Sequence, residues 1–131
     1  MAKRVNSKAK GRLGEQKWSR QLNDWGIEAR RGVQYQGGPD SPDVVTPSLN
    51  IHWEVKYGYP WEKMNPGSKA LGDAWEQAYR EVPHRRGEVM ARRPVVAWKP
   101  KGTRVWLLTW LHNDRLVTAV ATKELILELG R

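Results

Sequence analysis

The stretch Pro42–Tyr57 constrains this chain more than any other. From Ile51 to Tyr57 the apolar or aromatic residues Ile51, Trp53, Val55 and Tyr57 alternate with His52, Glu54 and Lys56. Successive side chains of an extended chain point to opposite faces, so a period of two predicts a strand with one face in the core. Glu54 and Lys56 then point together, off the core. Upstream, Asp43-Val44-Val45 is a short β-branched run, separated from that strand by Thr46, Pro47, Ser48, Leu49 and Asn50, which are mostly turn formers. An antiparallel hairpin follows.

The register that lays Val44 beside Trp53 on the core face sets Asp43 opposite Glu54 on the other. Cross-strand neighbours have Cβ atoms roughly 4.5–5.5 Å apart, and like charges so placed repel. Two ionised carboxylates there need a cation, either the ammonium of Lys56 or a divalent metal. Mg²⁺ prefers one or two carboxylates completed by waters and substrate phosphate oxygens, which this arrangement would supply. The plainer alternative is an acidic and basic strand face that chelates nothing.

The chain has 131 residues and a formal net charge of +9. One domain is expected at this length, and the charge points to a polyanion, with nucleic acid ahead of a membrane surface because no basic amphipathic helix stands out. Without cysteine there is neither a disulfide framework nor a thiolate metal site. The sequence offers no transmembrane run and no apolar signal-peptide core, so a cytoplasmic location is expected. Eight tryptophans and no phenylalanine suggest first that Trp packs a small core, and second that some rings stack on bases.

Residues 1–10 carry Lys3, Arg4, Lys8 and Lys10 and read as a basic arm, or as a frayed terminus. A helix is predicted from about Ser7 to Trp25, stopped by Gly26, with the apolar stripe Trp18, Leu22 and Trp25. Extending that stripe backwards reaches Glu15 and Gly11, so Glu15 serves either as a first-turn acid favoured by the helix dipole or as a group at the metal. Gly11 and Gly14 either admit a phosphate to the backbone or mark a later helix start. Ile27–Tyr35 reads as a strand carrying Arg30 and Arg31, and 36–41 as a loop containing a second Pro-Asp pair. Asp40 precedes Ser41-Pro42, which cannot start a central strand, whereas Asp43 precedes Val44-Val45, which can.

Pro-Asp followed by Glu-x-Lys on the next strand resembles the signature of the PD-(D/E)xK nuclease superfamily. Gly-Arg-Leu-Gly-Glu at 11–15, Arg30 and Arg31 before the Gly-rich loop with Ser41, Pro42-Asp43 and Glu54-Val55-Lys56 together resemble the archaeal-type Holliday junction resolvases and their phage relatives, over roughly the first 80 residues. The resemblance implies that Glu15, Asp43 and Glu54 surround Mg²⁺ or Mn²⁺, that Lys56 helps to activate water, and that Ser41 assists. The carbonyl of Val55 would join the metal ligands. Arg12 falls within the same motif and is a candidate for DNA contact, with Lys3, Arg4, Lys8, Lys10, Arg30 and Arg31.

Gly58–Gly67 reads as a loop in which Tyr59, Trp61 and Met64 are exposed unless a partner covers them. Ser68 caps a helix with the stripe Leu71, Ala74, Trp75, Ala78 and Val82. Gln77 lies at the stripe's edge, either near the ion or as a half-exposed surface residue. Arg85, Arg86, Arg92 and Arg93 suit phosphates. Strands are predicted over Pro94–Lys99 and Val105–Trp110, with a turn at 100–103, and a last helix over Thr122–Leu129 places Leu125, Ile126 and Leu129 on one face. His52, His84 and His112 share no metal-ligand spacing and read as structural or surface residues.

The expected architecture is a single α/β domain, residues 1–131, with a mixed central sheet flanked by helices, and the resemblance implies a restriction-endonuclease-like nuclease fold. The expected activity is Mg²⁺-dependent hydrolysis of branched double-stranded DNA, the four-way junction, by a homodimer, with Tyr59, Trp61, Leu125 and Leu129 as interface candidates. The alternatives are a nuclease of the same site acting on linear or damaged duplex, and a basic DNA-binding module without chemistry.

Overall fold

The computed structural model describes residues 7–32, 42–82 and 92–131, with side chains from residue 10 onward. Helix α1 spans Ser7–Asp24, and Gly26 follows it at φ +81°, a left-handed position that suits glycine. Three strands come next: β1 (Arg30–Arg31), β2 (Val44–Val45) and β3 (Ile51–Tyr57). Helix α2 (Lys69–Glu81) crosses to β4 (Arg93–Lys99), and β5 (Leu107–His112), β6 (Arg115–Val120) and α3 (Lys123–Leu129) complete the chain.

The six strands form one mixed sheet in chain order, β1-β2-β3-β4-β5-β6. Only β3 and β4 are parallel, because a helical crossover joins them while every other neighbouring pair is antiparallel. The α/β class and the mixed sheet expected from the sequence are present.

Helices α1 and α3 cover one face. Trp18 and Leu22 of α1 and Ile126 and Leu129 of α3 pack there with Val44, Ile51, Trp53, Val95 and Leu108. The rings of Trp18 and Trp53 meet edge-on at 5.2 Å, and Trp18 and Trp106 lie 4.9 Å apart. The opposite face is covered by α2, whose Leu71 and Ala74 pack with Val96, Trp98 and Met64. Tryptophan therefore does the packing, and of the eight only Trp61 stands among the exposed large apolar residues.

Two-sided cover corrects one expectation. The His52–Glu54–Lys56 side of β3 is not a solvent face: His52 and Glu54 are buried, because the parallel crossover lays α2 over β3 and β4. Leu125 and Leu129 likewise belong to the core and not to a free interface, Leu129 being buried and Leu125 packed against the same cluster. The first strand is shorter than expected, with only Arg30 and Arg31 paired among the described residues; residues 33–35 lie outside them.

Strand β6 was not foreseen. It returns from β5 through Asn113 and Asp114 at φ 49° and 64°, a two-residue turn with both centres left-handed. Asn and Asp tolerate that conformation, but without glycine the pair is a faint hairpin signal. Helices α2 and α3 begin as expected, with the hydroxyls of Ser68 and Thr122 accepting the amides of Leu71 and Leu125.

Gly14 has a packing role. A Cβ placed on it would sit 2.5 Å from the Cβ of Tyr57, so α1 crosses β3 at a distance that only glycine permits. The helix-propensity gain of about 1 kcal/mol from Gly14→Ala should be outweighed by a steric cost of about 1–3 kcal/mol. Urea unfolding should show a lower midpoint for Gly14→Ala and no loss for Gly11→Ala, where nothing lies within 4 Å of the added methyl. An unchanged midpoint for Gly14→Ala would refute the close crossing.

Candidate metal centre

Asp43 is fixed at the mouth of the hairpin by three bonds. Its carbonyl accepts the amide of Gly32 at 2.9 Å, its amide donates to the carbonyl of Trp53 at 3.0 Å, and its Oδ2 accepts the amide of Val55 at 2.8 Å. The predicted register of Val44 against Trp53 is the one observed. Because β2 is only two residues long, a side-chain carboxylate takes the amide of Val55. Val55, expected to lend a carbonyl to the ion, thus also orients Asp43. Beneath, the indole of Trp53 donates to Thr46 at 3.0 Å and ties the turn to the core.

Glu54 stands beside Asp43 and is 2% exposed. Its Oε1 lies 3.3 Å from the ammonium of Lys56, while its Oε2 is buried with no hydrogen-bond partner among the described residues. Burial pushes the Glu54 carboxyl from 4.5 up to about 8, with the charge of Asp43 adding to the rise and Lys56 opposing it. Burial likewise raises Asp43 from 3.8 to about 6, against the pull of the Val55 amide, and the charge of Glu15 adds to the rise. Burial alone would lower Lys56, but Glu54, Tyr59 and Asp43 together outweigh it and the net shift is upward, so Lys56 is an ammonium.

Glu15 and Arg31 are paired with each other. Arg31 Nε and a terminal guanidinium nitrogen donate to Glu15 Oε2 at 3.1 and 3.0 Å. Glu15 lies close enough to act on Asp43 electrostatically, but its carboxylate is turned to Arg31. Gln77 is exposed and donates to Glu81 at 3.1 Å; it does not join the Asp43–Glu54 pair.

Glu81 is the residue that sequence reasoning missed. Its charge acts on both Asp43 and Glu54, and its Oε2 lies 3.6 Å from Nε2 of the buried His52. It follows Ala74 by seven residues, two helical turns, so the spacing from a buried stripe position was the signal that could have found it.

Among the expected DNA contacts, Arg12 and Arg30 are exposed, and Lys10 lies over the ring of Tyr59 at 4.3 Å. Lys10, Gly11, Val55, Lys56, Tyr57 and Tyr59 line a cleft of about 220 Å³. Lys3, Arg4, Asp40, Ser41, Arg85 and Arg86 lie outside the described residues, as does the side chain of Lys8.

A hard cation fits the Asp43–Glu54 pair. Among the described residues, the buried oxygen without a partner, the two raised carboxyls and the shortage of cationic donors all describe a site that gains from positive charge. Among the described residues no three carboxylate or imidazole side chains converge on one point, so the protein's share of such a shell is two carboxylates, with the rest left to water and phosphate. Comparison of the chain with protein-family models, curated proteins and solved structures finds no match.

The pair carries a pH signature. In the unfolded chain both carboxyls release their protons near pH 3.8 and 4.5, whereas the folded protein holds them to about 6 and 8. The folded state binds more protons in between, so this contribution to stability is full below the unfolded values and is lost as pH rises through the folded ones. In EDTA the wild-type melting temperature should fall from about pH 5 to about pH 9, and Glu54→Gln should remove most of that slope, by about 3 °C or more at the alkaline end. Mg²⁺ or Mn²⁺ should raise the wild-type melting temperature more at the higher pH. Parallel profiles for wild type and variant would show that Glu54 is ionised throughout.

Proposed function

We propose that the protein is a metal-dependent endonuclease that hydrolyses phosphodiester bonds in DNA, with the four-way junction as its substrate and Mg²⁺ or Mn²⁺ as its cofactor. One observation carries the reading: two carboxylates, Asp43 and Glu54, share a desolvated site beside the ammonium of Lys56, with one oxygen of Glu54 left without a hydrogen-bond partner among the described residues. The net charge of +9 supports a polyanionic partner. The preference for junctions over linear duplex is supported by the resemblance at Gly11–Glu15, Arg30–Arg31 and Pro42–Lys56. A homodimer would present two sites for the paired cuts; of its apolar candidates Trp61 is exposed and Tyr59 is half-buried against the α2-side cluster. No helix among the described residues is long and apolar enough to cross a membrane.

The chain's own residues divide the work. Asp43, oriented by the Val55 amide, and Glu54, through its buried oxygen, would hold the ion. Bound Mg²⁺ supplies an acidified water and neutralises charge developing on the phosphate. Lys56 stays protonated, so its role is to position a water or phosphate oxygen and not to accept a proton. The cleft beside it, lined by Lys10 and Tyr59, suits a phosphate backbone approaching the site.

Asp43→Asn and Glu54→Gln keep shape and remove the charge that holds the ion. Cleavage of a four-way junction should collapse in both, while junction binding in EDTA survives or tightens. Asp40→Asn should cut nearly normally, because its Pro-Asp does not lead into a strand. Wild-type rates in both carboxylate variants would place the chemistry elsewhere. Comparing the junction with its component duplexes separates a resolvase from a general nuclease. Binding without cleavage in Mg²⁺ by the intact protein would leave only the DNA-binding module.

Salt should weaken binding steeply. Six phosphate contacts would give a log–log slope of about −5 through counterion release. A slope near zero would contradict the polyanionic partner.

A further inference from the structure

A second pocket lies at the end of the sheet, where α2 overhangs the start of β4 and α3 ends. It encloses about 330 Å³ and is lined by Trp75 and Tyr79 together with Arg92, Arg93 and Arg131, with no acidic residue among its lining. Trp75 and Tyr79, one helical turn apart on α2, stack at 5.4 Å with an interplanar angle of 24°. Trp75 is half-buried and its indole N–H is buried with no acceptor among the described residues. Tyr79, the outer ring, keeps 41% of its surface exposed. At the rim Arg93 Nε donates to the Leu129 carbonyl at 3.0 Å, which fixes that guanidinium in place, and Arg92 and Arg131 are exposed.

We propose that this pocket takes one unpaired nucleotide of a DNA strand, the base stacked on the Trp75–Tyr79 rings and the phosphate met by the rim arginines. Each part of the lining answers one part of that ligand. The stack is already formed and its outer ring is partly exposed, so a base, which always has a π-face, adds to it at little ordering cost. Arginine offers a planar fork that matches phosphate oxygens, and three of them set against one acid, Glu128 at 3.3 Å from Arg131, leave an excess of positive charge that suits an anionic ligand. The volume falls at the lower end of small-ligand sites and suits a single nucleotide better than a peptide segment. Asn50, also at the rim, precedes Glu54 by four residues, about 13 Å of extended chain. A strand engaged at the carboxylates therefore needs only a short path across the α2 side to place an unpaired base here. The inference takes its nucleic-acid partner from the charge of the chain and does not depend on the cleavage chemistry.

The test is fluorescence anisotropy in EDTA, with the full chain and two labelled ligands: a short fully paired duplex and the same duplex carrying a few unpaired residues. Wild type should bind the second more tightly. Tyr79→Ala should lower affinity for it by about tenfold, the loss of one stacked base, and leave the paired duplex unchanged. Tyr79→Phe should behave as wild type, which separates stacking from a folding defect, and Arg131→Ala should weaken the unpaired ligand selectively. Millimolar dAMP should erase the wild-type preference. Equal weakening of both ligands by Tyr79→Ala, or no preference in wild type, would overturn the proposal. Mononucleotide binding tighter than strand binding would overturn it in favour of a free-nucleotide site. A chain that cuts nothing in Mg²⁺ but shows the Tyr79-dependent preference would remove the proposed nuclease activity and leave this pocket standing.

Discussion

Every feature of the centre depends on β3 being covered from both sides. The strand lies inside the sheet, with α1 pressed onto one face at Gly14 and α2 laid over the other. One face is satisfied by Trp53 and its contacts with Trp18. The other carries His52 and Glu54 into an interior that gives neither of them water. A carboxylate on an exposed hairpin would sit near its ordinary pKa and lose little by ionising. On β3 the same group is stripped of solvent, and its ionisation becomes a strong demand for positive charge.

The neighbouring groups meet only part of that demand. Lys56 faces one oxygen of Glu54, and Arg31 is committed to Glu15. Asp43 has an amide dipole from Val55 and, among the described residues, no cation within ion-pair distance. Glu81 adds a further negative charge from α2. A chain of net charge +9 thus sets two acids, Asp43 and Glu54, at one desolvated point with Lys56 as the cation beside them. Stability alone does not favour this, since replacing buried charges by packed apolar residues is often neutral or stabilising. A function that supplies the missing cation accounts for the arrangement, and that is why the metal-dependent reading outranks a solvated charge pair.

What could be read in the sequence follows from how local each signal is. The strand at 51–57 and its register against Val44 were legible because alternation and a β-branched run are properties of consecutive residues. The cap at Ser68 and the stop at Gly26 were legible for the same reason. The two-sided burial of β3 was not, because it is decided by where the crossover lays α2. Glu15 shows the limit of stripe reasoning: its face was placed correctly, but a stripe does not say that Arg31 will claim the carboxylate. Gln77 and Glu81 are one turn apart, and only the outer one was weighed for a place near the ion, because amphipathic periodicity fixes a helix face only to within a residue or two. Strand β6 escaped because its turn carries Asn-Asp in place of a glycine-bearing pair.

Helix α2 links the two candidate sites. Its contact stripe is small, with Ala74 and Ala78 buried against the sheet, so the helix axis lies close to β3 and β4. Close approach brings the flanks of the helix into play. Along one flank Glu81 reaches His52 and the electrostatic field of the carboxylates; along the other Trp75 and Tyr79 form the wall of the arginine-rimmed pocket. Larger residues at 74 or 78 would lift the whole helix, and both flanks would move together. Such a shift would withdraw Glu81 from the carboxylates and expose the oxygen of Glu54 that is now buried, lowering the demand for a cation. The distance between helix and sheet, set by two alanine side chains, therefore controls how strongly the centre attracts positive charge as well as the shape of the aromatic pocket beside it.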